Sequence, residues 1–174
     1  MTELKATRGI KQAGTWADAS DRVILTYDER FLRRKVLKTE TGQNFLVDLQ
    51  KTTSLDQGDA FDLGDHGVFE VIAADEPLLE VTSDDLPRIA WHIGNRHTPC
   101  QIETQRLLLQ RDHVIADMLR RIGAQTREIV EPFTPEGGAY GHGRTHGHDH
   151  SHSHGPDTDH AHEHGHGHVT DHNH

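Results

Sequence analysis

The stretch LLEVTSDDLPRIAWHIGNRHTPCQIETQRLLLQRDHVIADMLRRIGAQTREIVEPF, residues 78–133, holds the pattern that decides the fold. It opens on a strand, LLEVT (78–82). In DDLPRIAWHIGN (84–95), Leu86, Ile89, Ala90 and Ile93 recur at helical spacing, and Gly94–Asn95 ends the helix. Thr82 or Ser83 is placed to cap that helix, with Asp84 and Asp85 in its first turn near the positive end of the dipole. Pro87 is tolerable that early. CQIETQ (100–105) and RLLLQR (106–111) read as two short strands. Asp112 then caps a second helix, with an apolar stripe of Ile115, Met118, Leu119 and Ile122, and Gly123 stops it. TREIVEPF (126–133) closes as a strand.

Strand–helix–strand–strand–helix–strand is the split βαβ order of ferredoxin-like domains. Upstream, the helical period is missing. RVILTY (22–27), RRKVLKT (33–39), NFLVDL (44–49) and VFEVIAA (68–74) read as strands, separated by turn chemistry in TGQ, DQGD and DHG. The expected class is therefore α+β, with a small all-β N-terminal domain over residues 1–75 and a ferredoxin-like domain over 76–140. TPEGG (134–138) begins a linker into what remains.

The last 34 residues, 141–174, contain 13 of the 17 histidines and almost nothing apolar. Such a segment cannot repay the entropy of ordering, so the expectation is a disordered tail until metal binds. Neutral imidazole is a ready ligand for Ni²⁺, Zn²⁺ and Cu²⁺, and with an unperturbed pKa near ~6.5 most tail rings are neutral at pH 7. Alternating histidines such as His142, His146, His148, His150, His152 and His154 let a flexible backbone bring two or three rings onto one ion. As a coil, 34 residues have an r.m.s. span on the order of 30 Å, enough to revisit the body. A purification tag is the bland alternative, but tags are unbroken histidine runs and this one is mixed with Gly, Asp, Ser and Glu. Nitrogen affinity alone does not select the metal, since Cu²⁺ outranks Ni²⁺.

The formal charge of −10 argues against nucleic acid or an anionic membrane as partner and favours cations. Cys100 is the single cysteine, so no intrachain disulfide forms. The N-terminus lacks the apolar run of a secretion signal, and no window is long enough to span a bilayer, so a cytoplasmic location is expected.

Within the body, WHIGNRHTP (91–99) leaves a helix, turns, and places His97 before Thr98–Pro99, where Pro99 holds Thr98 out of helical geometry. This puts His97 at a loop tip, where spacing alone leaves open a plain surface histidine or a ligand. His92 reads as a histidine buried in the helix beside Trp91, His66 as a turn residue, and Cys100 as a small buried residue opening a strand, the alternative being a His-x-x-Cys ligand pair with His97 that would draw the site toward Zn²⁺ or Cu(I). The RFLRRK run (30–35) reads as a solvated strand face, with an interaction patch for a partner as the alternative.

GNRH (94–97), DHVIADMLRRIG (112–123), EPFTPEGGAYGHG (131–143) and the histidine-rich end together resemble the UreE family, the nickel chaperones of urease assembly. SLDQGDAFDLGDHGVFEVIAADEPLLEV (54–81) resembles that family's domain junction, and the likeness runs over most of residues 20–145. The resemblance implies an N-terminal domain likened to a peptide-binding module and a homodimer built on the ferredoxin-like domain. His97 from each subunit would meet at the dimer axis on one Ni²⁺, with tail histidines completing the sphere, and Zn²⁺ or Cu²⁺ able to substitute in vitro. It also implies delivery to apo-urease together with an accessory GTPase complex. The family sometimes carries a second ligand pair, His-x-His, at the start of the second helix; here Arg111 replaces the first histidine and His113 stands alone.

The rival function is a histidine-rich nickel or zinc store in which the tail does all the binding. A metallohydrolase would need three fixed ligands, an open water position and a general base. The body has no H-E-x-x-H or comparable cluster, no Walker motif and no Ser/His/Asp order, and the expectation is a non-enzyme.

Overall fold

The computed structural model describes residues 4–137. The tail, with His142, His146, His148, His150, His152 and His154 and its expected disorder, lies outside the described residues.

The first region is all-β. Its strands are β1 (Lys5–Thr7), β2 (Gly9–Lys11), β3 (Asp21–Leu25), β4 (Phe31–Lys38), β5 (Asn44–Ser54), β6 (Ala60–Asp62) and β7 (Val68–Ala73). They form two sheets, ordered β1-β5-β4 and β2-β6-β7-β3. Period-two alternation sets which side chains go inward: Val23 and Leu25 on β3, and Phe45, Val47 and Leu49 on β5, are buried. The sheets meet where the Phe45 ring lies 5.3 Å from Phe61 and 5.1 Å from Phe69, both edge to face. Gly67 has φ +83°, and a Cβ there would sit 2.0 Å from Ser20 Oγ, so the turn entering β7 requires glycine.

The second region contains β8 (Asp75–Thr82), α1 (Leu86–Gly94), β9 (Gln101–Ile102), β10 (Leu107–Gln110), α2 (His113–Arg121) and β11 (Gln125–Pro132). The sheet order β11-β8-β10-β9, antiparallel throughout, is the split βαβ topology. One face packs Leu79, Val81, Leu107 and Leu109 under Ile89 and Ile93 of α1 and Ala116 and Leu119 of α2.

Two details depart from the sequence reading. Asp85, rather than Thr82 or Ser83, caps α1, its carboxylate accepting from Arg88 N at 3.2 Å. Thr82 is instead held in β8, opposite Gln125, and the helix starts at Leu86, later than a cap at Thr82 or Ser83 implies. Asp112 caps α2 as expected, accepting from Val114 N at 2.7 Å and Ile115 N at 3.1 Å. The second departure is Arg30, assigned to a solvated face but only 2% exposed.

Arg30 is buried because it sits where the two regions join. Tyr27, Leu78, Leu108 and Phe133 form a small core on the helix-free face of the second sheet. There Arg30 Nη2 donates to the Phe133 carbonyl at 2.5 Å, and its guanidinium lies 5.7 Å from the Tyr27 ring centre. Buried Glu76 accepts from Tyr27 N at 2.7 Å and from Gln110 Nε2 at 3.2 Å, satisfying its carboxylate across the same junction. Among the described residues no helix is long and apolar enough to cross a membrane.

Candidate metal centre

Helix α1 ends in a tight turn. Asn95 N donates to Trp91 O at 2.9 Å, Arg96 N to Ile93 O at 3.0 Å and His97 N to Gly94 O at 2.9 Å. His97 closes that turn with φ +55°, and among the described residues it is the one non-glycine with positive φ. A left-handed residue with a side chain costs roughly 1–2 kcal/mol relative to the right-handed conformation, and histidine tolerates the position better than most. The reversal turns the chain back toward β9 and leaves the imidazole exposed. The sequence placed His97 on a loop tip; the left-handed geometry that produces the tip was not legible.

His113 opens α2 and is also exposed. Topology brings it to the same end of the domain as His97. Strand β10 finishes at Gln110 opposite Leu78, near the start of β8, and α2 follows directly. Helix α1 leaves the far end of β8 and runs back, so its C-terminus arrives at that end too. Beside His113 is a pocket of about 450 Å³, lined in part by Arg111, Arg120 and Glu128. Arg111 Nη1 lies 3.3 Å from Glu128 Oε2, so the side chain standing where a partner histidine would be is committed to an ion pair.

The remaining candidates stay apart. Cys100 is half-buried against the helix–sheet core. Burial, helped by the negative charge of Glu136, pushes its thiol up to about 11, so it is a protonated thiol at neutral pH and not a ready thiolate ligand. His66 is exposed in a 3₁₀ turn of the other region. His92 is half-exposed, not buried in the helix, its ring 5.0 Å from Trp91. Among the described residues no group of three or more His, Cys, Asp or Glu is gathered to hold an ion. The described residues of one chain therefore gather no three-ligand set, and a sphere of three or more such donors needs some from elsewhere.

One feature escaped the sequence reading. Trp91 is 64% exposed and Val114 57%, one on each helix and both outside the buried stripes. The signal was available, because Trp91 falls off the line of Leu86, Ile89 and Ile93.

Comparison with known proteins bears on what this end of the domain is for. Family models described as the N-terminal and C-terminal domains of the UreE urease accessory protein match residues 3–74 and 76–174. The chain is 68% identical over 145 residues to the urease accessory protein UreE of Ruegeria pomeroyi, covering 83% of this chain and 97% of that one. It is 58% identical over 148 residues to the protein of the same name from Cereibacter sphaeroides, covering 84% and 81%. The corresponding protein of Rhodobacter capsulatus is 55% identical over 147 residues, covering 84% and 94%.

Proposed function

The chain belongs to the UreE urease accessory protein family, and on that premise we propose that it is a nickel metallochaperone, a non-enzymatic carrier that binds Ni²⁺ and delivers it to apo-urease during active-site assembly. The observation that carries this reading is His97, an exposed imidazole presented by the left-handed turn that ends α1. A two-fold axis doubles each donor without a second motif, and a homodimer closing over this end of the domain would also cover Trp91 and Val114. Histidines of the tail, among them His142, His146, His148, His150, His152 and His154, complete the sphere, and His113 is an accessory ligand at the same end. Nickel here is cargo. An incompletely caged site suits release better than a closed one. Zn²⁺ or Cu²⁺ can occupy the same imidazoles in vitro.

In this reading residues 1–75 form a peptide-binding-like domain, 76–140 the metal-binding domain and 141–174 the collecting tail. Urease apoprotein and the accessory GTPase complex are its partners, and the cytoplasm is its place of action. The decisive experiment is a calorimetric nickel titration of the His97→Ala protein, with oligomeric state measured in parallel. Loss of the tightest site, one per dimer, is expected; an unchanged tight site removes His97 from the mechanism.

Storage by the tail alone is the alternative, favoured by the 13 histidines it contains. Truncation after Tyr140 separates the two. A chaperone keeps its tight site and loses weaker capacity, whereas a store loses essentially all binding.

A further inference from the structure

Positive charge is unevenly placed in this acidic chain. Ten of the 18 Lys and Arg residues fall between residues 5 and 51, although the whole molecule carries −10. Strand β4 has Arg33, Arg34, Lys35 and Lys38 and no acid, and it is the edge of its sheet. The register defines the outer face. Ala6 and Val36 both stand opposite Leu46, making an apolar row across the three strands, with Val36 54% exposed. Phe45 and Val47, on either side of Leu46, point the other way into the core. Along the face to one side, Asp48 sits between Arg34 Nε at 3.7 Å and Arg8 Nε at 3.9 Å. To the other side lies Lys38, opposite Asn44. The face is thus an exposed apolar row with cations at both ends and one carboxylate to offset them.

Cations along an edge strand guard against strand pairing. That purpose accounts for β4. It does not account for Arg8, which follows β1 at the opposite side of the sheet, or for the apolar row left open between the charges.

We propose that this face holds the metal-free acidic segment 149–163 of the chain's own tail, and lets it go when the tail takes up divalent metal. Segment 149–163 contains Asp149, Asp157, Asp159 and Glu163 and no Lys or Arg, so its charge complements the face. It begins 12 residues beyond Gly137, a spacer that reaches up to ~40 Å when extended. Each bound divalent ion adds two positive charges, so two ions cancel the four carboxylates and remove the attraction. Docking and metal uptake then oppose each other, and by linkage the face weakens the tail's metal affinity by the same factor that metal weakens docking. The device keeps empty histidines parked and frees loaded ones to move. It rests on the reading of the tail as a nickel binder, and the two are separable by experiment.

Two measurements on the full-length protein test it. Carbodiimide coupling of metal-free protein, mapped by mass spectrometry, should join Lys38 to carboxylates of segment 149–163, and nickel saturation should abolish the link. This reads the contact whether or not nickel binds the tail, and its absence from metal-free protein overturns the proposal. Nickel titration of the Arg34→Gln/Lys38→Gln variant should show the tail sites tightened about three- to fivefold at about 20 mM salt, as expected when a competing closed state is removed. The gain should vanish at about 0.5 M salt, where surface charges are screened. A Lys11→Gln/Arg121→Gln control, which removes equal charge elsewhere, should match the parent protein; equal tightening in both variants, or none in either, defeats the proposal. If truncation after Tyr140 leaves nickel capacity intact while the cross-link forms, it is the tail's role in nickel binding that fails.

Discussion

The two folded regions use their surfaces in opposite ways. Residues of the first region close a core around Phe45, Phe61 and Phe69 and leave the cations of β4 outside, Arg30 alone among the described ones being buried, at the junction. The second region builds its core from aliphatic side chains, leaves Trp91 and Val114 in solvent, and turns two imidazoles toward one end. A two-sheet sandwich buries both inner faces against each other and is complete as a single chain. A sheet with helices on one side must cover its other face, and here Tyr27 and Phe133 do so, meeting at 5.3 Å. Its helix layer still faces outward. The difference assigns structural closure to the first region, and unfinished apolar surface with two exposed imidazoles to the second.

The largest test of that contrast is Phe45→Ala. Phe45 is fully buried at the meeting of the two N-terminal sheets, so truncation should cost about 3–5 kcal/mol. Hydrogen exchange should show β4 and β5 losing protection first, with β8 and β10 following only as far as the Tyr27–Phe133 junction couples them. Uniform loss across all strands would erase the distinction between two cores.

Trp91→Asp comes next. If the exposed indole anchors a second copy, the substitution should weaken self-association by about 2 kcal/mol or more, read by analytical ultracentrifugation over a concentration series. Monomer stability should change little, because the side chain is 64% exposed. A dimer of unaltered strength would place the contact elsewhere.

The smallest effect concerns charge on the helix-free face of the second sheet. Arg106 donates to Glu80 at 2.9 Å, to Glu103 at 2.6 Å and to Glu131 at 2.8 Å. Hydrogen bonding to Arg106 holds the Glu80 and Glu103 carboxyls below their ordinary value of 4.5, and Arg127 adds to the effect on Glu80. A lowered folded-state value means the stabilisation is present above about pH 4.5 and is lost as pH falls through the folded values. Arg106→Gln should therefore cost about 1–2 kcal/mol near neutral pH and flatten the acid limb of the urea-midpoint profile. A profile with the parent's slope below pH 4.5 would show that the network contributes nothing to the contrast.

How legible these features were depends on whether their cause is local. Helix α2 was readable from Asp112 to Gly123 because capping, apolar period and stop signal all act within a few residues. Strands β1, β2 and β6 were missed: three residues each, they are too short for alternation to register, and pairing with distant strands makes them. Arg30 was misjudged for a similar reason, since the Phe133 carbonyl that receives it is 103 residues away. Asp85 displaced the expected caps because β8 competes for Thr82, and that competition depends on strand β11.

By itself the sequence determined the element order of the second region and the charge of each segment, since these follow from residue type and near-neighbour spacing. Tertiary structure alone decided that His97 closes a left-handed turn, that His113 comes to the same end of the domain, that Arg111 is tied to Glu128, and that Trp91 stays outside. Each of those depends on where a distant strand or helix stops, which packing sets and no local pattern records.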